Sequence, residues 1–222
     1  PSKPMRIVVP FPPGSATDTI ARAFVNAMAP VLGQPMVVDN KAGADGAIAG
    51  ADVMRAAPDG HTLLFATNSP LAVAPAMKKV PPYDPLTDFT PIIDIGRYTF
   101  FLVVHPSVTA ATLAEFIAQA KAQPNQLNYA TGNTTGIAAV AQFSALAGVR
   151  MTHVPYKGEP QALTDLLAGR VQMMVVSAGT SIAHIRDGKL KALAVTLPTR
   201  SSQVPDAPTL AELGVTGFDA DT

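Results

Sequence analysis

Short apolar strands alternate with helical stretches over the first third of the chain, and this alternation constrains the fold more than any other feature. Residues 5–9, 36–39 and 61–66 have the apolar character of short strands, and helical stretches separate them. A βαβαβ pattern predicts a parallel sheet with helices on its faces. In such sheets ligands bind outside the carboxyl ends of the strands. These ends are residues 11–18, 40–46 and 67–70.

Residues 5–18 indicate a strand, a Pro-rich loop and the start of a helix. Ser15 with Asp18 three positions later matches the capping box, in which both side chains accept hydrogen bonds from free backbone N–H groups. Gly14 lets a ligand approach the backbone, and a helix N-terminus attracts anions. The segment predicts a small anion pocket without a charged side chain, and a plain strand-to-helix turn is the alternative. The apolar stripe predicted for the helix is Ala16, Ile20, Ala23, Phe24, Ala27, Met28 and Val31.

A second series of strands and helices follows an irregular connection over residues 79–91. The predicted strands are residues 98–104, 126–130, 151–154, 171–176 and 190–195, and the predicted helices are residues 113–122, 137–147, 161–168 and 182–186. Polar loops at residues 131–136 and 177–180 stand between strands and helices, as in the first series. The chain is therefore predicted to contain two α/β units that join near residues 96–104. Two lobes that face each other would bury a small ligand in the cleft between them.

Charge and composition exclude several classes of function. The sequence has 16 basic and 16 acidic residues, and no basic run of the kind that binds nucleic acid or a membrane surface. It has no cysteine, which rules out disulfides, thiolate catalysis and Cys-based metal sites. No apolar run approaches the roughly 20 residues that span a bilayer, so no membrane insertion is expected. A start just before the first strand fits a mature exported protein or a trimmed cytosolic one.

Motifs of common enzymes are missing from the sequence. There is no Gly-x-Ser-x-Gly elbow and no phosphate loop that ends in Gly-Lys-Ser/Thr. Residues 43–50 have the spacing Gly-x-x-Gly-x-x-x-Gly rather than that of a dinucleotide site, and we interpret this run as close helix–strand packing. We predict no catalytic residue, no metal site and no cofactor. The histidines, which we interpret as structural, are His61, His105, His153 and His184.

The candidate binding groups are mainly hydroxyls and backbone groups. Thr134, Thr135 and Ser177 stand near helix starts, and a hydroxyl both donates and accepts hydrogen bonds. Asp18 could accept from a ligand, with a helix-start role as the alternative. Lys157 could pair with an anion, with an exposed lysine as the alternative. Such a polar site suits the binding and release of a carboxylate rather than proton transfer or nucleophilic attack.

A set of stretches in consistent order covers nearly the whole chain and resembles one protein family. The stretches are residues 4–18, 40–44, 57–63, 83–91, 153–158, 162–169, 188–195 and 204–209. They are similar to the Bug-type receptors, the periplasmic solute-binding proteins of tripartite tricarboxylate transporters. The resemblance implies an α/β, two-lobed periplasmic-binding-protein (Venus-flytrap) fold, in which each lobe is a sheet flanked by helices. Residues 1–100 would form the first part of lobe 1, residues 101–215 lobe 2, and residues 216–222 the start of a return through the hinge.

The same resemblance implies a periplasmic, exported protein that lacks its signal peptide here and delivers a small carboxylate to a membrane transporter or sensor. The ligand carboxylate would be held between the loops at residues 11–18 and 131–136. The implied ligand-binding residues are Phe11, Gly14, Ser15, Ala16, Thr17, Asp18, Thr67, Asn68, Ser69, Thr131, Gly132, Asn133, Thr134, Thr135, Gly136, Tyr156, Val176, Ser177 and Ala178.

Four residues depart from the family pattern. Ser15 stands where a second glycine is usual, and Ile137 stands where many members have histidine. Val176 and Ser177 replace an acid or amide pair, which would be the natural partner of a ligand ammonium, since a buried ammonium needs one. The ligand is therefore expected to be a carboxylate without an amino group. It would have an apolar or aromatic body or be a dicarboxylate. Val176→Asp should weaken its binding, and unchanged affinity would mean that residue 176 does not face the site.

The leading interpretation is an extracytoplasmic binding protein and not an enzyme. One alternative is a two-domain α/β hydrolase or transferase acting on a small carboxylate, with Asp18 and Thr134 near the chemistry. Another is a ligand-responsive regulatory domain. A turnover assay separates the first two, and a DNA-binding domain elsewhere in the gene product would favour the third.

Overall fold

The computed structural model describes residues 1–76 and 78–216. The chain divides into two compact units, the first from Pro1 to Ile95 and the second from Gly96 onward. The predicted hinge return over residues 216–222 lies outside the described residues apart from Thr216. Within the two described ranges, every helix is too short or too polar to cross a bilayer.

The first unit begins with the predicted alternation of strands and helices. Its elements are β1 (Met5–Val9), α1 (Ala16–Leu32), β2 (Met36–Asn40), a 3-10 turn (Ala44–Gly46), α2 (Ala47–Met54), β3 (Thr62–Leu64), a π-helical turn (Ser69–Val73) and α3 (Ala74–Ala76). β1 pairs in parallel with β2 on one side and with β3 on the other. The prediction of a parallel sheet from the βαβαβ pattern is therefore confirmed.

The core of the first unit lies between the sheet and one face of α1. Ala21 and Val25 of α1 pack with the apolar residues of β1 and with Phe65. Ile20 and Val31 are 39% and 77% exposed, and Ala23 and Ala27 are exposed as well, so the predicted stripe is wrong at four of its seven positions. α1 carries apolar residues on more than one face, and the sheet covers the face of Ala21 and Val25.

Residues 78–95 contain neither helix nor strand, as predicted for the connection over residues 79–91. Tyr83 anchors this segment, because its hydroxyl donates to the carbonyl of Pro70 at 2.6 Å and its ring meets Phe89 edge to face. A Cβ on Gly50 would lie 2.4 Å from the Tyr83 ring. The glycine run over residues 43–50 therefore does allow close packing, but Gly50 of α2 packs against Tyr83 rather than against a strand.

The second unit contains a mixed sheet. Its elements are β4 (Phe100–Val104), α4 (Leu113–Ala122), β5 (Asn128–Thr131), α5 (Thr134–Ala147), β6 (Thr152–Pro155), α6 (Glu159–Leu167), β7 (Met173–Ser177), α7 (Ala178–Arg186), β8 (Lys191–Val195) and a 3-10 turn (Ala211–Leu213). The strand order is β6-β5-β7-β4-β8. β5 runs parallel to β6 and β7, whereas β4 runs antiparallel to β7 and β8.

β4 is buried on both faces of this sheet. Phe100, Leu102 and Val104 belong to one core cluster, and Phe101 and Val103 belong to the other. Because successive side chains of a strand point to opposite faces, a strand covered on both faces needs apolar residues at every position. This explains the continuous apolar run that marks β4 in the sequence.

The two polar loops predicted in the second unit are partly strand and helix. Thr131 ends β5 and Thr134 begins α5, while Ser177 ends β7 and Ala178 begins α7. The predicted helix starts at residues 137 and 182 are therefore too late. Glycine and threonine have low intrinsic helix propensity, and the capping side chain of Asn133 and the surrounding contacts override it.

Candidate functional site

The loop between β1 and α1 folds tightly around the start of the helix. Gly14 has a φ of 79°, a left-handed conformation that favours glycine. Ser15 Oγ accepts from Asp18 N at 3.2 Å, and Asp18 Oδ2 accepts from Gly14 N at 2.9 Å. The capping prediction is confirmed, with Gly14 rather than Ser15 as the second N–H donor. Ser15 has a φ of −69°, so a second glycine is not required there.

Asp18 is buried and is held by groups of its own unit. Arg22 Nε donates to its two oxygens at 3.1 and 3.0 Å, and Asn40 Nδ2 donates to Oδ1 at 2.9 Å. Burial raises the pKa of Asp18, but the hydrogen bonds from Arg22, Gly14 and Asn40 outweigh burial, and the pKa lies below its ordinary value. These contacts favour the helix-start role of Asp18. Arg22 and Asn40 are not among the predicted site residues.

Asn40 also connects the ends of β1 and β2, because its Nδ2 donates to the carbonyl of Phe11 at 2.9 Å. The Pro-rich loop is thus fixed by Asp18 at one end and by Asn40 at the other. Beyond β3, Thr67 Oγ1 accepts from Ser69 N at 3.2 Å. Ser69 is buried and begins the π-helical turn, which follows β3 at the predicted carboxyl end of that strand.

In the second unit, Asn133 caps α5 and contacts the start of α6. Its Oδ1 accepts from Gly136 N at 2.7 Å, and its Nδ2 donates to Glu159 Oε1 at 2.9 Å. Thr134 and Thr135 lie buried in the first turn of α5. The segment from residue 131 to residue 136 therefore forms a strand end and a helix start next to Glu159.

Glu159, the first residue of α6, is a buried acid that is missing from the predicted site. The residue as a whole is 5% exposed. Oε1 accepts from Asn133 Nδ2 and from Ser177 N, the latter at 3.1 Å. Oε2 accepts from Thr180 Oγ1 at 3.0 Å and, in a short bond, from Ser177 Oγ. One carboxyl group therefore joins the starts of α5, α6 and α7.

The protonation equilibrium of Glu159 reflects two opposing effects. Burial raises the pKa of Glu159 above its ordinary value, while hydrogen bonds from Ser177, Thr180 and Asn133 act in the opposite direction.

The sequence does carry a signal for the position of Glu159 at a helix start. Glu159 precedes Pro160, and proline is common in the first turn of a helix, whereas the predicted helix starts only at residue 161.

Val176 lies in the core and not at a surface. It is fully buried and belongs to the cluster that contains Phe101 and Ala130. Its side chain packs in this core because β7 is covered on both faces, and the contact with a ligand stays a prediction. Val176 and Ser177 do replace the acid or amide pair, but α6 brings a different acid to the end of β7, since Glu159 bonds Ser177.

The remaining predicted residues of the second unit lie along β6 and β5. The hydroxyl of Tyr156 donates to Asp165 Oδ2 at 2.7 Å, and Thr131 Oγ1 lies 2.6 Å from His153 Nε2. Burial lowers the pKa of His153. Lys157 is exposed, which agrees with the alternative interpretation of that residue.

Histidine and acidic side chains do not gather at these sites. Among the described residues, no group of three or more His, Asp or Glu side chains lies close enough together to hold a metal ion. The ring of His61 contacts the backbone of Asp59, and the ring of His105 contacts Ser107. These local contacts agree with structural roles for both histidines.

Comparison with known proteins gives a consistent result over the chain. A family model described as the tripartite tricarboxylate transporter family receptor matches residues 20–222. The chain is 38% identical over 224 residues to protein BugT of Bordetella pertussis, covering 99% of this chain and 68% of that protein. The chain spans about two thirds of the length of the curated relatives it matches.

Two solved structures share the fold along the whole chain. The R. palustris protein Rpa4515 with adipate has a TM-score of 0.96 and 34% identity, covering 100% of this chain and 75% of that one. MatC from Rhodopseudomonas palustris with bound malate has a TM-score of 0.92 and 33% identity, covering 100% of this chain and 76% of that one.

Proposed function

The chain belongs to the tripartite tricarboxylate transporter receptor family, and from this membership we propose that it is a solute-binding receptor for a small carboxylate. The observation that carries the proposal is the match, over the whole chain, to two proteins whose structures hold adipate and malate. Both compounds are small dicarboxylates. The family description supports a role in which binding serves transport.

We propose that the ligand is bound by groups at the strand ends and helix starts of each unit. These segments are residues 11–18 and 67–69 in the first unit, and residues 131–136 and 177–178 with Tyr156 in the second. Helix N-termini present N–H donors and favour anions, and α1 and α5 begin in these segments. The side chain of Val176 is left out of the proposal because it is buried in the core.

We propose that the ligand is released unchanged. The hydrolase or transferase alternative places Asp18 and Thr134 near the chemistry, and Asp18 is the acid of that pair. Its oxygens already accept from Gly14, Arg22 and Asn40. A carboxyl whose pKa lies below its ordinary value is also a weak general base at neutral pH. No observation favours this alternative.

We propose the periplasm as the site of action, with membrane components of a transporter or a sensor as the partner. The support is the family's description as a transporter receptor. The zero net charge of the chain agrees with a small ligand rather than nucleic acid.

Isothermal titration calorimetry of the full-length protein with malate, adipate and their dimethyl esters tests the proposal. We expect saturable binding of the acids and none of the esters, which have the same carbon skeletons without charge. A ligand at 100 times its Kd should also stabilise the protein by about 2.7 kcal/mol in thermal unfolding. If none of a panel of mono-, di- and tricarboxylates binds, the proposal is wrong. A new product detected by NMR after long incubation would favour the enzyme alternative.

A further inference from the structure

We infer that Glu159 fixes the direction of hydrogen bonding at the start of α7, so that Thr180 accepts a hydrogen bond from a ligand and does not donate to it. The inference rests on the proposed function and narrows its substrate class. The captured carboxylate then carries a hydroxyl or amino group in addition to its acid groups.

The hydroxyl of Ser177 is bonded to Glu159. Ser177 is the N-cap residue of α7, a position where serine commonly accepts from an N–H group of the first helical turn. Its side chain makes no such capping bond. Instead, Oγ donates to Glu159 Oε2 in a short hydrogen bond. A hydroxyl has one proton, so Ser177 has none left to donate to a ligand.

Thr180 is half-buried in the first turn of α7. Its Oγ1 donates to Glu159 Oε2 at 3.0 Å. The carbonyl of Ser177, at 3.2 Å, is a second acceptor within the protein. Hydrogen bonds to an ionised carboxylate are stronger than those to neutral acceptors. The Thr180 proton is therefore directed inward, and the lone pairs of its oxygen are the part that a ligand can use.

Within the described part of the chain, Glu159 differs from Asp18 in having no cationic side chain among its hydrogen-bond donors. Asp18 in the first unit is paired with the cationic Arg22 at 3.0 Å, whereas Glu159 is bonded to neutral groups of Asn133, Ser177 and Thr180. A ligand carboxylate beside Thr180 would face the lone pairs of Thr180 Oγ1, with the Glu159 carboxylate bonded to that hydroxyl. Such a carboxylate would find no donor there. A ligand hydroxyl or ammonium would instead donate to Thr180, and the negative charge would attract an ammonium.

This inference reverses the hypothesis of a ligand without an amino group. That hypothesis depends on the absence of an acid near the end of β7. The structure supplies the acid from α6, because Glu159 lies against Ser177.

The test compares ligands that share a carbon skeleton. Succinate, malate and aspartate form one set, and adipate, 2-hydroxyadipate and 2-aminoadipate form the other. Calorimetry at pH 8 with the full-length wild-type protein should show malate or aspartate, or the corresponding six-carbon compound, binding about tenfold tighter than the unsubstituted diacid. In Glu159→Gln the amide N–H groups donate to the two hydroxyls, so a hydroxyl proton can point toward the ligand. The ratio of the two affinities, substituted to unsubstituted diacid, should then fall to within about threefold of unity. Glu115→Gln is the matched control, because Glu115 is an exposed acid in the first turn of α4.

A second variant covers the case in which Glu159→Gln does not fold. Thr180→Val removes the acceptor that faces the ligand and should abolish the preference, whereas Thr164→Val should keep it. Thr164 is exposed on α6, and its hydroxyl donates to the carbonyl of Pro160 at 2.9 Å. Two results would overturn the inference and leave the proposed function intact. One is equal binding of substituted and unsubstituted diacids by the wild type, and the other is an unchanged preference in Thr180→Val. If no carboxylate binds at all, both are wrong.

Discussion

A Cβ atom on Gly132 would lie 2.3 Å from the backbone nitrogen of Glu159. It would also lie 2.4 Å from the carbonyl carbon of Gly158. The strand end after β5 therefore presses directly on the backbone that begins α6, with no room for a side chain. This close approach brings Asn133 within hydrogen-bonding distance of the Glu159 carboxyl.

Gly132→Ala should therefore destabilise the second unit and weaken carboxylate binding. Both neighbours of the new Cβ are backbone atoms, which cannot move aside as a flexible side chain could. We expect a loss of about 2–4 kcal/mol in the free energy of urea unfolding. Gly136→Ala is the matched control for stability, since its Cβ would meet its neighbours at 3.4 Å, an ordinary contact. Equal stability of the two variants would contradict the close packing at Gly132.

Asp18→Asn should destabilise the first unit at neutral pH and less so in acid. The pKa of Asp18 lies below its ordinary value of 3.8, so the folded state favours the charged form. The stability gained from this carboxylate is present above pH 3.8 and is lost as the pH falls through the lower folded pKa. We expect a cost of about 1–3 kcal/mol at pH 7, at the low end because Arg22 is half exposed.

Urea unfolding of wild type and Asp18→Asn at several values between pH 7 and pH 3 measures this effect. Asp187→Asn serves as the control, because Asp187 and Lys189 form an ion pair in which both side chains are more than half exposed. Surface pairs of this kind contribute little. A difference between wild type and Asp18→Asn that stays constant down to pH 3 would contradict the assigned role of the carboxylate.

Tyr83→Phe should loosen the connection over residues 78–95. The substitution keeps the ring that packs on Gly50 and removes the hydroxyl that bonds the carbonyl of Pro70 at 2.6 Å. This carbonyl would then be buried without its partner, at a cost of about 1–2 kcal/mol. Tyr156→Phe removes a hydroxyl that bonds Asp165 in a partly exposed position, and it should cost less. The midpoints of thermal unfolding of the two variants test this order, and the reverse order would sink the anchoring role of Tyr83.

The features predictable from the sequence are those that depend on neighbouring residues. The period of apolar residues predicts the parallel sheet of the first unit, and Ser15 with Asp18 predicts the helix cap because the two residues are three positions apart. The continuous apolar run predicts β4, although not that it runs antiparallel to β7 and β8. Strand direction depends on how the chain crosses the sheet, which a local pattern does not record.

The features that could not be predicted depend on residues far apart in the chain. Glu159 reaches Asn133 across 26 positions and Ser177 across 18, and no pattern in the sequence joins these segments. Val176 shows the converse problem. It stands in the sequence where the family pattern places a ligand-facing pair, but the helices that cover both faces of β7 enclose it.

The stability of the wild type should fall relative to that of Glu159→Gln as the pH rises above 4.5. Burial raises the pKa of Glu159 above its ordinary value of 4.5, so the unfolded chain releases this proton at a lower pH than the folded chain does. Between the two pKa values the folded state binds more protons, and the free energy of unfolding therefore decreases with increasing pH. The amide of Glu159→Gln does not titrate, so the stability of the variant lacks this dependence on pH.

Urea unfolding from pH 4 to pH 8 measures the effect. The difference in the free energy of unfolding between the two proteins should shift in favour of the variant as the pH rises. Glu115→Gln is the control in the same series, because Glu115 is an exposed acid. A difference between wild type and Glu159→Gln that does not change with pH would mean that the donors around the carboxyl fully offset its burial.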